Sequence, residues 1–175
     1  QAPMMTKKTV PTTLMPHGGV RRHGAAIFDD APHDPYQSRG KYAEPTVCSE
    51  CHAIYHRGRW QWGEMPEGAR AALCPACHRI RDRMPAGEVV LASTFVDSHR
   101  DELVALARHE EAQEKREHPL HRIIGIDQSA GRMMVTTTDI HLPRRIAEAV
   151  THAYQGDLVL EYAKNEYGPR ANWRR

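Results

Sequence analysis

The chain has 175 residues, 40% hydrophobic and 26% charged, with twelve histidines, four cysteines and a formal net charge of +2. That length holds one ordinary domain, or two small ones with a tail, in a protein of water-soluble composition. No apolar run approaches the roughly 18 residues of a membrane span, and "QAPMMTKKTVPTTLM" at the start shows no continuous apolar block of a secretory signal, so no membrane partner and a cytoplasmic location are expected.

Residues 1–45 read as an extended, Pro/Gly-rich basic arm. Proline recurs at Pro3, Pro11, Pro16, Pro32, Pro35 and Pro45, and neither helical nor strand periodicity survives these breakers. The cluster "HGGVRRHG" places Arg21 and Arg22 in this arm, as candidate contacts to an anionic partner. A disordered tail is the plainer reading of the same composition.

Residues 46–83 form a cysteine module. "CSECH" at Cys48–His52 and "CPACH" at Cys74–His78 hold all four cysteines of the chain. Between them, "AIYHRGRWQW" predicts a short hairpin with Gly58 at its turn and Trp60 and Trp62 on one face. "PEGARAAL" predicts a helical turn or two leading into Cys74. Tyr55, Trp60 and Trp62 suit either the module's own small core or the stacking of bases.

Two Cys-x-x-Cys pairs separated by 22 residues match a four-cysteine zinc ribbon with Cys48, Cys51, Cys74 and Cys77 as ligands to one Zn²⁺. A two-residue gap lets both thiolates of a pair face one ion about 2.3 Å away. Such a module has too little core to fold alone, so the metal supplies the stability. The rival is haem c, attached at Cys48/Cys51/His52 and Cys74/Cys77/His78, because Cys-x-x-Cys-His is also the haem-attachment pattern. Each haem needs a large apolar pocket, and the surrounding residues are rich in Arg, Glu and Gly. A redox pair or disulfide is the third reading. Zinc is preferred. His52 and His78 are then exposed residues following a knuckle, or donors to a ligand sulfur or a phosphate.

The module is also basic. Residues 1–83 hold twelve Lys/Arg against eight Asp/Glu, whereas residues 84–175 hold twelve against fourteen. Arg57, Arg59, Arg79, Arg81 and Arg83 lie near the knuckles, placed to offset the double negative charge of zinc with four thiolates and to contact RNA.

Residues 84–175 read as one α+β domain with a basic C-terminal tail. "GEVVLAST" predicts a strand, and "SHRDELVALARHEEAQEKREH" a helix opened by a Ser98–Asp101 capping box and stopped by Pro119. "RIIGID" and "RMMVTTT" are two strands joined around Gln128–Gly131. A helix follows from about Asp139, with Leu142, Ile146, Ala149, Val150 and Ala153 on one face, and "DLVLEYA" is the last strand. The order β-α-β-β-α-β predicts a ferredoxin-like unit. Its central strands lack the aromatics of an RNA-recognition-motif sheet. "TTTDIH" pairs Asp139 with His141, which suits acid–base chemistry or a metal, but a helix cap there explains Thr138 and Asp139 without catalysis.

"CPACHRIRDRMPAG", "EHPLHRI", "VTTTDIHLPRRIAEAVTHAYQG" and "NEYGPRANW", spanning about residues 46–173, resemble an uncharacterised family of small bacterial zinc-ribbon proteins. That family is related to the eukaryotic and archaeal large-subunit export adaptor, the nonsense-mediated decay protein three. The resemblance implies a ribosome or ribosomal assembly intermediate as partner, with ribosomal proteins as further contacts, and it carries no catalytic residue. His78 departs from the family, where Arg often follows the second knuckle. The expectation is therefore a non-enzymatic zinc protein that binds structured RNA. A zinc-stabilised protein-interaction module is the alternative, and a dihaem electron carrier the remote one.

Overall fold

The computed structural model describes Tyr36, residues 41–162 and residues 169–175. Arg21 and Arg22, with most of the expected arm, lie outside the described residues. The architecture is α+β, with a four-stranded and a five-stranded sheet and four helices. Both sheets belong to one compact unit, His33–Arg175.

The small sheet is built from β1 (Thr46–Cys48), β2 (Ile54–His56), β3 (Arg59–Gln61) and β4 (Arg70–Ala72), in the order β3-β2-β1-β4. The expected hairpin is β2–β3. Its two-residue turn, Arg57 at φ 52° and Gly58 at φ 78°, has the left-handed geometry that matches strand twist. Trp60 packs inward against Tyr55 and Tyr42, whereas Trp62 lies past the end of β3 and is 37% exposed. "PEGARAAL" is not helical. Gly68 turns the chain at φ 71°, and β4 then pairs in parallel with β1. A segment so short and without an apolar stripe cannot repay helix nucleation, while β1 offers it an unpaired edge.

Helix α1 (Pro75–Asp82) begins where the second knuckle ends. Cys74 is its N-cap and Pro75 occupies its first turn, where a missing N–H costs nothing. Arg83, in the left-handed region at φ 52°, closes the helix.

The large sheet takes β5 (Gly87–Ala92), β6 (Ile123–Ser129), β7 (Arg132–Thr137), β8 (Asp157–Tyr162) and β9 (Pro169–Arg174), in the order β6-β7-β5-β9-β8. The helices are α2 (Thr94–Ser98), α3 (Arg100–Glu117) and α4 (Leu142–Tyr154). Three departures from expectation stand out. The helix after β5 is split, and the Ser98–Asp101 capping box does not form. Ser93 caps α2 by accepting from Phe95 N at 2.9 Å, and Ser98 donates to Phe95 O at 3.0 Å instead. The basic tail "RANWRR" is β9, parallel to β5 and antiparallel to β8. That fifth strand lies between β5 and β8, where a four-stranded ferredoxin-like sheet would pair them directly. The physical reason is Trp173, which is fully buried with Ala171 two residues before it. Their inward side chains fill the core that α4 covers, and Gly156 gives way to the indole, since a Cβ there would stand 2.5 Å from Trp173 Nε1.

Val89, Leu91, Leu103, Met133, Val135, Leu142, Ile146 and Val150 join Trp173 in one core between the sheet and α3–α4. Fully burying each such side chain is worth about 1.5–3 kcal/mol.

Candidate metal centre

The chain brings the two knuckles together by ordinary strand and turn chemistry. Cys48 ends β1, its N–H bonded to Ala53 O at 2.8 Å, and its carbonyl accepts from His52 N at 3.1 Å. His52, at φ 63°, is the residue that reverses the chain. The parallel pairing of β4 with β1 sets Cys48 opposite Ala72, so the second knuckle starts beside the first. Cys74 N then donates to Cys48 Sγ at 3.3 Å, and Cys77 N to Cys74 Sγ at 3.4 Å.

The four sulfurs lie within 4.8 Å of one another, and Cys51 Sγ is 3.7 Å from Cys74 Sγ. Sulfurs at the corners of a tetrahedron about 2.3 Å from its centre stand roughly 3.8 Å apart. The donor set fits one zinc ion. Cys48, Cys74 and Cys77 are buried, with Tyr42, Tyr55, Trp60 and Ala53 around them. Packed thiols of this kind cannot all ionise without a cation. Cys51 is pulled down to about 4, chiefly by its hydrogen bond with Cys74, and burial pushes Cys77 up to about 11. Cys74 is raised, as the donor to Cys51 and by burial. A divalent ion removes that conflict, because it stabilises every thiolate at once.

Both cysteine pairs serve a single centre, which leaves no place for two haems. His52 and His78 are both exposed and neither belongs to the donor cluster. His78 instead lies near Tyr36, ring centres 6.4 Å apart.

The arginines divide. Arg79 is 5% exposed, donates to Met84 O at 3.0 Å and lies over the Tyr36 ring, so it is scaffold rather than a phosphate contact. Arg81 is paired with Glu50 of the first knuckle loop. Arg57, Arg59 and Arg83 are exposed. The guanidinium that reaches a ligand sulfur is Arg122, whose Nη1 donates to Cys77 Sγ at 3.1 Å. Burial works against its charge, but Cys77 and the neighbouring cysteines more than compensate and raise its pKa. Arg122 is 45 residues from Cys77 and outside the module, so local spacing carried no sign of it.

Asp139 caps, as expected: its Oδ2 accepts from His141 N at 2.7 Å and Leu142 N at 3.1 Å. Thr138 serves the loop before β6 instead, accepting from Arg122 N at 2.9 Å.

These features define an α+β protein with a tetracysteine centre of zinc geometry. Comparison with protein-family models, with curated proteins and with solved structures found no match. Among the described residues, no helix is long and apolar enough to cross a membrane.

Proposed function

We propose that the chain is a non-catalytic zinc protein that binds structured RNA, on the ribosome or a ribosomal assembly intermediate, in the cytoplasm. The observation that carries the reading is the convergence of four sulfurs, which makes the module a rigid platform. Arg57 and Arg59 project from its hairpin, and Arg83 from the end of α1, and all three are exposed. On such a platform the guanidinium groups keep fixed positions, as recognition of a folded phosphate backbone requires. Arg79 and Arg81 have partners within the fold and are support for the platform rather than contacts.

Zinc analysis should return one ion per chain held by the cysteines. Binding to ribosomal RNA should weaken steeply with salt. Changing Arg57, Arg59 and Arg83 together to Ala should flatten the log–log salt slope by about 0.7–0.9 per contact removed. Salt-insensitive binding, or no co-sedimentation with ribosomes at low salt, would turn the choice to a zinc-stabilised protein-interaction module. The groove lined by Pro45, Ile54, Trp62 and Pro66 favours that second reading, since it is apolar and open.

A further inference from the structure

Away from the cysteines, three imidazoles gather where the loop between α3 and β6 meets the start of α4. The rings of His118 and His121 are stacked, 4.7 Å apart centre to centre and 23° from parallel, and those of His121 and His141 are 5.7 Å apart and tilted by 38°. Two imidazoles bound to a common ion at about 2.1 Å place their centres roughly 5 Å apart. The two separations bracket that figure.

His121 is the anchored member. Its side chain is 19% exposed, and its Nδ1 faces Glu114 Oε1 at 2.9 Å and Asp139 Oδ2 at 3.6 Å. An ionised carboxylate only accepts, so Nδ1 is the donor and Nε2 is the nitrogen left to face a metal. This carboxylate–histidine arrangement is the one that orients metal-bound imidazoles. Glu114 is fixed in turn by Arg145, which bridges it to Glu110 with both contacts at 2.7 Å. Glu110, Glu114 and Asp139 against Arg145 leave two negative charges beside the three imidazoles.

A second observation points to a cation. The Asp139 side chain is 9% exposed, and its Oδ1 is buried without a hydrogen-bond partner. An unpaired buried carboxylate oxygen is costly, and a nearby divalent ion would relieve that cost. The ring nitrogens are not drawn together as the sulfurs are: among the described residues only the cysteines bring three or more such donors within 4.8 Å. His118 and His141 are both exposed, so their rings can turn onto an ion without repacking a core.

We propose that His118, His121 and His141 form a second metal site, for an exchangeable divalent transition ion such as Zn²⁺ or Ni²⁺. Imidazole donors suit these ions. Glu114 is the positioning residue, acting through His121. Three protein donors leave a coordination position for water, which suits exchange rather than permanent structural binding. The site adjoins the cysteine centre through one loop, because Arg122, next to His121, reaches Cys77 Sγ.

The test uses the full chain with its cysteine site zinc-loaded, freed of loosely held metal by dialysis against a weak chelator. Titration with Zn²⁺, and separately with Ni²⁺, is followed by calorimetry and metal analysis. The wild type should take up one further equivalent, and that uptake should fade as pH drops below about 6.5, where imidazole protonates. His118→Ala/His141→Ala should weaken it more than tenfold, and Glu114→Gln by about 10–100-fold. The single variant His141→Ala, at an exposed ring, carries the same expectation and decides the matter should the double variant fold poorly. With Co²⁺, the cysteine site gives sulfur-to-metal charge-transfer absorption and the histidine site only ligand-field bands, so failure of one reading is distinct from failure of the other. No further equivalent in the wild type, or one undiminished in the His variants, overturns the proposal.

Discussion

The cysteine module and the five-stranded body solve the same problem with different means. The body buries a continuous apolar set around Trp173, Leu103, Ile146 and Val135. The module has Tyr55, Trp60, Ala53 and Ala76, with four cysteines occupying its centre. Its strands are three residues long, against six or seven in the larger sheet. What the module lacks in buried area it must recover from a bound ion, whereas the body needs none. Chelation should therefore separate regions that share one compact unit.

The sharpest break is Cys74→Ser. A structural zinc site contributes an apparent 10–16 kcal/mol in small modules (roughly, at neutral pH), far more than this aromatic cluster can replace. Zinc should be lost, and hydrogen-exchange protection should vanish over β1–β4 and α1 while β5–β9 remain protected. A single transition in which both sheets exchange together would show that the body depends on the module. The converse change is Trp173→Ala, which should cost about 3–5 kcal/mol and release β9 from the sheet. Denaturant unfolding would register that loss with zinc still bound; a shift below about 1 kcal/mol would mean the indole is not the keystone of the core.

The same contrast governs what was legible in the amino-acid sequence. Metal ligands announce themselves by local spacing, and Cys48, Cys51, Cys74 and Cys77 converge as that spacing implied. The β2–β3 hairpin was equally local, needing only Arg57–Gly58 between two short runs. β4 and β9 were missed because each is stabilised by a distant strand: Ala71 pairs with Val47, and Trp173 with Leu91. In β9 the alternation of Ala171 and Trp173 was present but short, and flanking arginines masked it. The break between α2 and α3 has a similar cause. Asp97 accepts from Gly131 N at 2.8 Å, and that tie to the β6–β7 turn holds α2 apart from the longer helix. The arginines near the knuckles were ranked by sequence distance, yet contact is made in three dimensions. Arg79 is buried, and Arg122 takes the place at the sulfur.

Arg122 is also where the two regions meet, and its removal should have the smallest of these three effects. Its guanidinium donates to Cys77 Sγ, its backbone N–H bonds Thr138 Oγ1, and Leu120, two residues earlier, packs against the cysteine core. A hydrogen bond to a charged group contributes about 1.5–3 kcal/mol, and an outer partner of a metal ligand about 10–100-fold in metal affinity. Arg122→Ala should thus keep zinc at stoichiometric concentration but release it faster to a competing chelator. Arg122→Lys retains the charge without the planar fork, and should recover part of the loss. The backbone contacts survive both changes, so the body's unfolding should move little. If zinc release is unchanged in Arg122→Ala, the guanidinium is a neighbour of the sulfur rather than its partner, and the module and body are coupled through contacts such as Leu120 on the cysteine core and Trp62 Nε1, which donates to Lys115 O at 2.7 Å.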